Sequence, residues 1–267
     1  MLFNLPNQLN DTIQLGREPL ELLTSSKLPG VISLFKTNLQ PQINQITNHY
    51  ALHVDDIWTI NGSSKKGCIY ILNWWLKARN ESGLEMKYDK WAINWASKNG
   101  HVKVLDWWLK ARDESGLEFK YDQWAINCAS ENGYVEVLDW WLKARNEAGL
   151  KFKHDECAIN CASYAGHVKV LEWWLKARDE SGLEFKYGGS AINCASREGH
   201  LNVLEWWLKA RNELGLELKY TQLAIEWASY NDHTSVLEWW KNSGLELKYN
   251  KNAINWTYQN SHVKILE

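Results

Sequence analysis

The sequence predicts an all-α chain: a helical repeat solenoid of about seven units with a period of 33, preceded by an N-terminal helical cap. Three observations carry this. First, a Trp-Trp pair recurs at Trp74-Trp75, Trp107-Trp108, Trp140-Trp141, Trp173-Trp174, Trp206-Trp207 and Trp239-Trp240, always 33 residues on. Second, an Ala-Ile pair recurs at Ala92, Ala125, Ala158, Ala191 and Ala224 with the same step, then at Ala253 after 29, and a worn copy, Thr59-Ile60, stands 33 before Ala92. Third, the apolar residues between these anchors fall at helical spacing. A fixed period of this length signals stacked units, none of which buries its apolar face alone. The anchors give seven starts and six completed units.

Taken in order, residues 1–57 do not repeat. The segments "LPNQLNDTIQLGREPLELL" and "GVISLFKTN" read as helices punctuated by Pro6, Pro19, Pro29 and Pro41, and an array's first unit needs a polar outer side. These residues are therefore expected to form the cap, and residues 58–267 the array. Within "LFNLPNQLNDTI", Leu5, Pro6, Gln8, Leu9 and Ile13 resemble the start of an F-box, the helical module that docks an adaptor onto a cullin ubiquitin ligase. That resemblance implies an alternative function, substrate recognition for ubiquitylation.

Each unit reads as two helices and a link. In "WAINWAS", Ala92, Ile93, Trp95 and Ala96 make one broad apolar face of an inner helix. "KNGH" ends it, with Gly100 suited to a left-handed turn. "VKVLDWWLKARDES" follows as an outer helix with Val102, Leu105, Trp108 and Leu109 on one stripe, and Gly116 ends it. Asp106-Lys110, Asp139-Lys143, Glu172-Lys176 and Glu205-Lys209 are expected i,i+4 pairs on its solvated face. "LEFKY" alternates with period two, an extended link. The Trp-Trp pairs are expected to fill the core, since each indole buries about 150–250 Å²; a ladder of exposed indoles facing lipid or carbohydrate is the rival reading. In the last unit, Ser261 stands where the turn glycine belongs, as Asp232 does one unit earlier, and the chain reaches Glu267 before a second helix is complete. Either the sequence is a fragment of a longer chain, or the face left uncovered at Glu267 is expected to fray or to associate end to end.

On these residues the chain resembles the ankyrin repeat family. Ala92, Ile93, Ala96, Gly100, His101, Val102, Val104, Leu105 and Leu109 match the family's line. Trp91 and Asn94 stand where its Thr and His stand, Trp-Trp replaces its Leu-Leu pair, and the link to the next unit is shorter. The resemblance implies a concave groove that binds proteins. It also implies that His101, His167, His200 and His262 bond to loop backbone.

Composition excludes several functions. With 30 basic and 32 acidic side chains the net charge is −2, so nothing draws the chain to a nucleic-acid backbone. No apolar run approaches the length of a membrane span, and the N-terminus lacks a secretory pattern, so a cytoplasmic location is expected. Cys128, Cys161 and Cys194 sit one period apart, with Cys157 a turn before Cys161 and Cys68 elsewhere. Stacked helices lie about 10 Å apart, too far for disulfides. These read as reduced, small apolar residues. No metal or cofactor site is expected, and no catalytic set breaks the repeating frame, so the chain is not expected to be an enzyme.

Between units, "GLE", "AIN", "AS" and "VLEWW" hardly change, and two windows do. Before Ala-Ile stand Asp89, Lys90 and Trp91; Asp122, Gln123 and Trp124; Asp155, Glu156 and Cys157; Gly188, Gly189 and Ser190; Thr221, Gln222 and Leu223. Before the turn glycine stand Lys98 and Asn99; Glu131 and Asn132; Tyr164 and Ala165; Arg197 and Glu198; Tyr230 and Asn231. Drift at tolerant surface positions could produce this. The outer-helix "KAR" stretch, taken as exposed, nevertheless stays fixed, which drift leaves unexplained. The variable residues are the candidate binding site for a protein partner, and the family resemblance places them along the concave groove.

Overall fold

The computed structural model describes residues 59–251, and the cap, the F-box-like segment and the unit from Ala253 onward lie outside them. Among the described residues there are twelve helices and no strand. They alternate short and long: α1 (Ile60–Lys66), α2 (Ile69–Ser82), α3 (Trp91–Lys98), α4 (Val102–Ser115), α5 (Trp124–Glu131), α6 (Val135–Ala148), α7 (Cys157–Tyr164), α8 (Val168–Ser181), α9 (Ser190–Arg197), α10 (Leu201–Leu214), α11 (Leu223–Tyr230) and α12 (Thr234–Asn242). The short inner helices pack closely on one another in chain order, and the long outer helices touch their neighbours only lightly. The short helices therefore form one closely stacked layer and the long helices a second, looser one.

The turns follow the sequence. Gly100 (φ +73°) and Gly116 (φ +65°) adopt the left-handed conformation, and Asp232, standing where a glycine is missing, is the only non-glycine with positive φ among the described residues (φ +59°). The links between units are irregular and form no strand ladder.

The core repeats with the sequence. Ala92, Ile93 and Ala96 of α3 and Val104, Leu105 and Trp108 of α4 are buried, as are their equivalents one unit on. The second tryptophan is half-buried in the first pair, as Trp75, and sealed in the other five: Trp108, Trp141, Trp174, Trp207 and Trp240 are at most 1 % exposed. Each indole N–H donates to the serine that ends "AS" in the preceding unit, Trp141 to Ser97 at 3.1 Å and Trp174 to Ser130 at 3.1 Å. The serines are buried too. A buried indole needs such an acceptor, and the invariant "AS" supplies it.

The first tryptophan lies shallower, packed against the core or at its rim, and it corrects the expected helix pairs. Trp140 and Trp173 donate to the carboxylates of Asp106 and Asp139 at 2.6 Å, and Trp107 donates to Asn73 at 2.7 Å. Those aspartates face the neighbouring unit's indole instead of the lysine four residues on. The lysines reach forward, Lys110 to Glu114 and Lys143 to Glu147, both at 3.8 Å and well exposed, so these pairs contribute little.

The fixed "KAR" stretch has, in part, a structural cause. Its alanine is buried in every described unit. Its arginine reaches the last turn of the next outer helix: Arg79 donates to the Ser115 carbonyl at 3.0 Å and Arg145 to the Ser181 carbonyl at 3.1 Å. Carbonyls at a helix C-terminus lack intrahelical partners and carry partial negative charge. The alanine is therefore held by packing, and Arg79, Arg112 and Arg145 by capping, while the exposed lysine has no such cause for its constancy.

Candidate functional site

The inner-helix face is built from exposed positions of α1, α3, α5, α7, α9 and α11 and from the link tips before them. The local fold of those tips consumes part of the candidate set. Asp89 accepts the Trp91 N–H at 2.9 Å, Asp122 the Trp124 N–H at 3.1 Å and Asp155 the Cys157 N–H at 2.9 Å, each the side-chain cap that a helix start requires. The same carboxylates accept the amide of the "AIN" asparagine one unit earlier: Asn61 to Asp89 at 2.9 Å, Asn94 to Asp122 at 2.8 Å and Asn127 to Asp155 at 2.7 Å. Thr221 repeats both roles, capping Leu223 and bonding Asn193. At the other window, Asn99 and Asn132 bond back to the carbonyls of Trp95 and Cys128, and Asn231 to that of Arg197. These seven residues are internally engaged.

The rest present chemistry to the groove. Trp124 is 50 % exposed, Tyr164 36 % and Tyr230 62 %, while Gln123, Glu156, Glu198 and Gln222 are exposed and Trp91, Lys98, Glu131 and Arg197 are half-exposed. Lys90 pairs with Asp122 at 2.7 Å. Burial disfavours ionisation of Asp122, but the Lys90 ammonium, the Asn94 amide and the Trp124 N–H outweigh it and hold the carboxyl below its usual range.

Cations cluster on indoles here. The ammonium groups of Lys65 and Lys98 lie 4.9 and 5.3 Å from the centroid of the Trp95 ring. The Arg197 guanidinium lies 5.1 Å from the Tyr164 ring and 5.3 Å from that of Trp227. Arg197 also donates from Nε to Glu198 at 2.7 Å, and its two terminal amino groups have no acceptor among the described residues. Around it opens a shallow cleft of about 480 Å³ lined by Arg197, Glu198, Trp227, Tyr230, Asn231 and His233.

Trp95, Trp227, Lys65 and His233 were not among the candidates. Trp95 was assigned wholly to the buried face, yet it is half-exposed. A weaker signal is present in the sequence: its position alternates between Trp and Cys, reading Trp95, Cys128, Cys161, Cys194, Trp227, and so varies less than the two windows do. His233 occupies the same turn position as His101. Both ring Nε2 atoms sit beside carbonyls in the last turn of the preceding unit's inner helix and not of a loop, that of Lys65 at 3.0 Å and that of Arg197 at 2.8 Å. The rings of His167 and His200 lie against Gly133 and Gly166.

The five cysteines are free. Burial pushes the Cys128 thiol up to about 11 and that of Cys161 up to about 12, the latter reinforced by Cys157 and neighbouring charges. Such thiols stay protonated at neutral pH and are poor nucleophiles. Among the described residues no three His, Cys, Asp or Glu side chains converge as metal ligands, and no helix is long and apolar enough to cross a membrane. No protein-family model matches the chain, and no curated protein matches it.

Proposed function

We propose that the chain is an ankyrin-like repeat scaffold that binds a protein partner through its concave groove. The observation that carries this reading is where the large exposed side chains stand. Tyr164 and Tyr230 stand at the equivalent last position of α7 and α11 and Trp124 at the start of α5, while nearly every other aromatic ring among the described residues is wholly or partly packed. Aromatic and arginine side chains anchor protein interfaces, and a rigid surface loses little entropy on association. The mixed charge of the groove favours a protein over nucleic acid.

The test is affinity capture with the native chain against a variant carrying Trp124→Ala, Tyr164→Ala, Arg197→Ala and Tyr230→Ala. A partner held by the first and lost by the second, with both showing the same helical spectrum, supports the groove. A partner held equally by both refutes it.

A further inference from the structure

We infer that the occupant of this groove is an extended peptide segment of the partner with an acidic residue toward each end and none in its middle. The inference rests on the groove reading above and adds the chemistry of the ligand.

The charges of the inner face are ordered along the array. At one end, Lys65, Lys66 and Lys98 come from α1 and α3, and Lys98 and Lys66 have no carboxylate within 4.0 Å among the described residues. In the middle, Glu131 and Glu156 stand on α5 and at the tip before α7, and neither has a basic partner among the described residues. Beyond them stands Arg197 on α9. Lys90 is paired with Asp122 and Arg197 with Glu198, the latter through Nε alone, so the Arg197 end is charge-balanced but keeps open N–H donors. The order along the array is lysine cations, then carboxylates, then the open guanidinium fork.

Arg197 is the more specific of the two ends. Two aromatic rings within about 5 Å restrain its guanidinium, Glu198 fixes one edge, and the terminal amino groups face the cleft without an acceptor. A planar fork held this way suits a carboxylate, which accepts two parallel N–H bonds. The other end is a diffuse positive site, two ammonium groups sharing one indole. A carboxylate placed opposite Glu131 or Glu156 would instead be repelled. Lys98 and Arg197 are equivalent residues three units apart, so at about 10 Å per stacked helix they stand roughly 30 Å apart. An extended chain covers that in about nine residues.

The experiment is selection from a display library of random peptides about fifteen residues long, enough to span both ends. The native chain, Arg197→Ala, Arg197→Lys and the double variant Lys65→Ala/Lys98→Ala each serve as bait, after circular dichroism shows equal helix content. Expected from the native chain are peptides enriched in Asp and Glu at two places about nine residues apart. Arg197→Ala is expected to erase one acidic place only and to weaken the selected peptides about tenfold, with Arg197→Lys restoring little of it. The lysine variant is expected to erase the other. Peptides without acidic ends, or the same charge profile from every bait, overturn this inference while leaving the groove reading standing. No selected peptide at all removes the groove reading itself, and this inference with it.

Discussion

Replacing Ser130 with alanine leaves the indole N–H of Trp174 buried with nothing to donate to. In the native chain that N–H donates to the Ser130 hydroxyl at 3.1 Å, and both residues are 0 % exposed. The lost group is one oxygen, so packing hardly changes. The cost is that of an unsatisfied buried donor, about 1–3 kcal/mol, or a loss of roughly 5- to 150-fold in the folded-to-unfolded ratio. Trp174→Phe removes the donor itself, and with it part of the packing. In that background Ser130→Ala should cost much less, because no N–H remains to strand. A double-mutant cycle by urea unfolding, read by far-ultraviolet circular dichroism, measures the coupling. Ser130→Ala within about 0.5 kcal/mol of native, or a coupling near zero, would refute the claim that this bond joins neighbouring units.

Other expectations follow from the turns, charges and thiols. Gly199→Ala should destabilise more than Gly182→Ala in thermal unfolding: both have positive φ (+76° and +63°), but only at Gly199 would the methyl meet a neighbour, His233 Nδ1 at 2.8 Å. The first should cost more than about 2 kcal/mol and the second about 1. Asp155→Ala removes both the Cys157 cap and the Asn127 bond and should cost about 1–2 kcal/mol in urea, with Asp155→Asn recovering part. Asp122 has a depressed folded pKa, so its contribution is present above the unfolded carboxylate range and lost as pH falls through the lower folded value. Asp122→Asn should therefore flatten the acid limb of the stability profile. Alkylation at pH 8 followed by mass mapping should modify exposed Cys157 before Cys161 and Cys128, and equal rates would contradict the raised thiols.

Much of this fold could be read in one chain because the chain repeats it. The inner helix from Trp91, the turn at Gly100 and the left-handed Asp232 are local decisions, set by side chains a few residues apart. The bonds that join units are not local. Asn127 meets Asp155 28 residues on, Trp140 meets Asp106 across 34, and Trp174 meets Ser130 across 44. Each separation is a period plus an offset that depends on how the helices stack, and spacing along the chain does not reveal the offset. For the same reason Asp106 looked like a partner for Lys110, and the arginine of "KAR" looked solvated. At the candidate site, variability found Tyr164, Arg197 and Tyr230 correctly as surface. It also gathered Asp89, Asp122 and Asp155, whose work is capping, and passed over Trp95 because an indole in an apolar run reads as core.

The joints between units are nearly interchangeable, and this bears on how such a chain changes over generations. The donors and acceptors of one joint recur at the next, Asn94 to Asp122 as Asn127 to Asp155, and Trp141 to Ser97 as Trp174 to Ser130. Recombination between the codons of Ala125 and Ala158 would excise one whole period and bring together two surfaces that already match. Misaligned exchange in the gene can thus lengthen or shorten the groove without unfolding the protein. The excision named would remove Glu131 and Glu156 and bring Lys98 one period nearer to Arg197, so the register of recognition could be rewritten in a single genetic step.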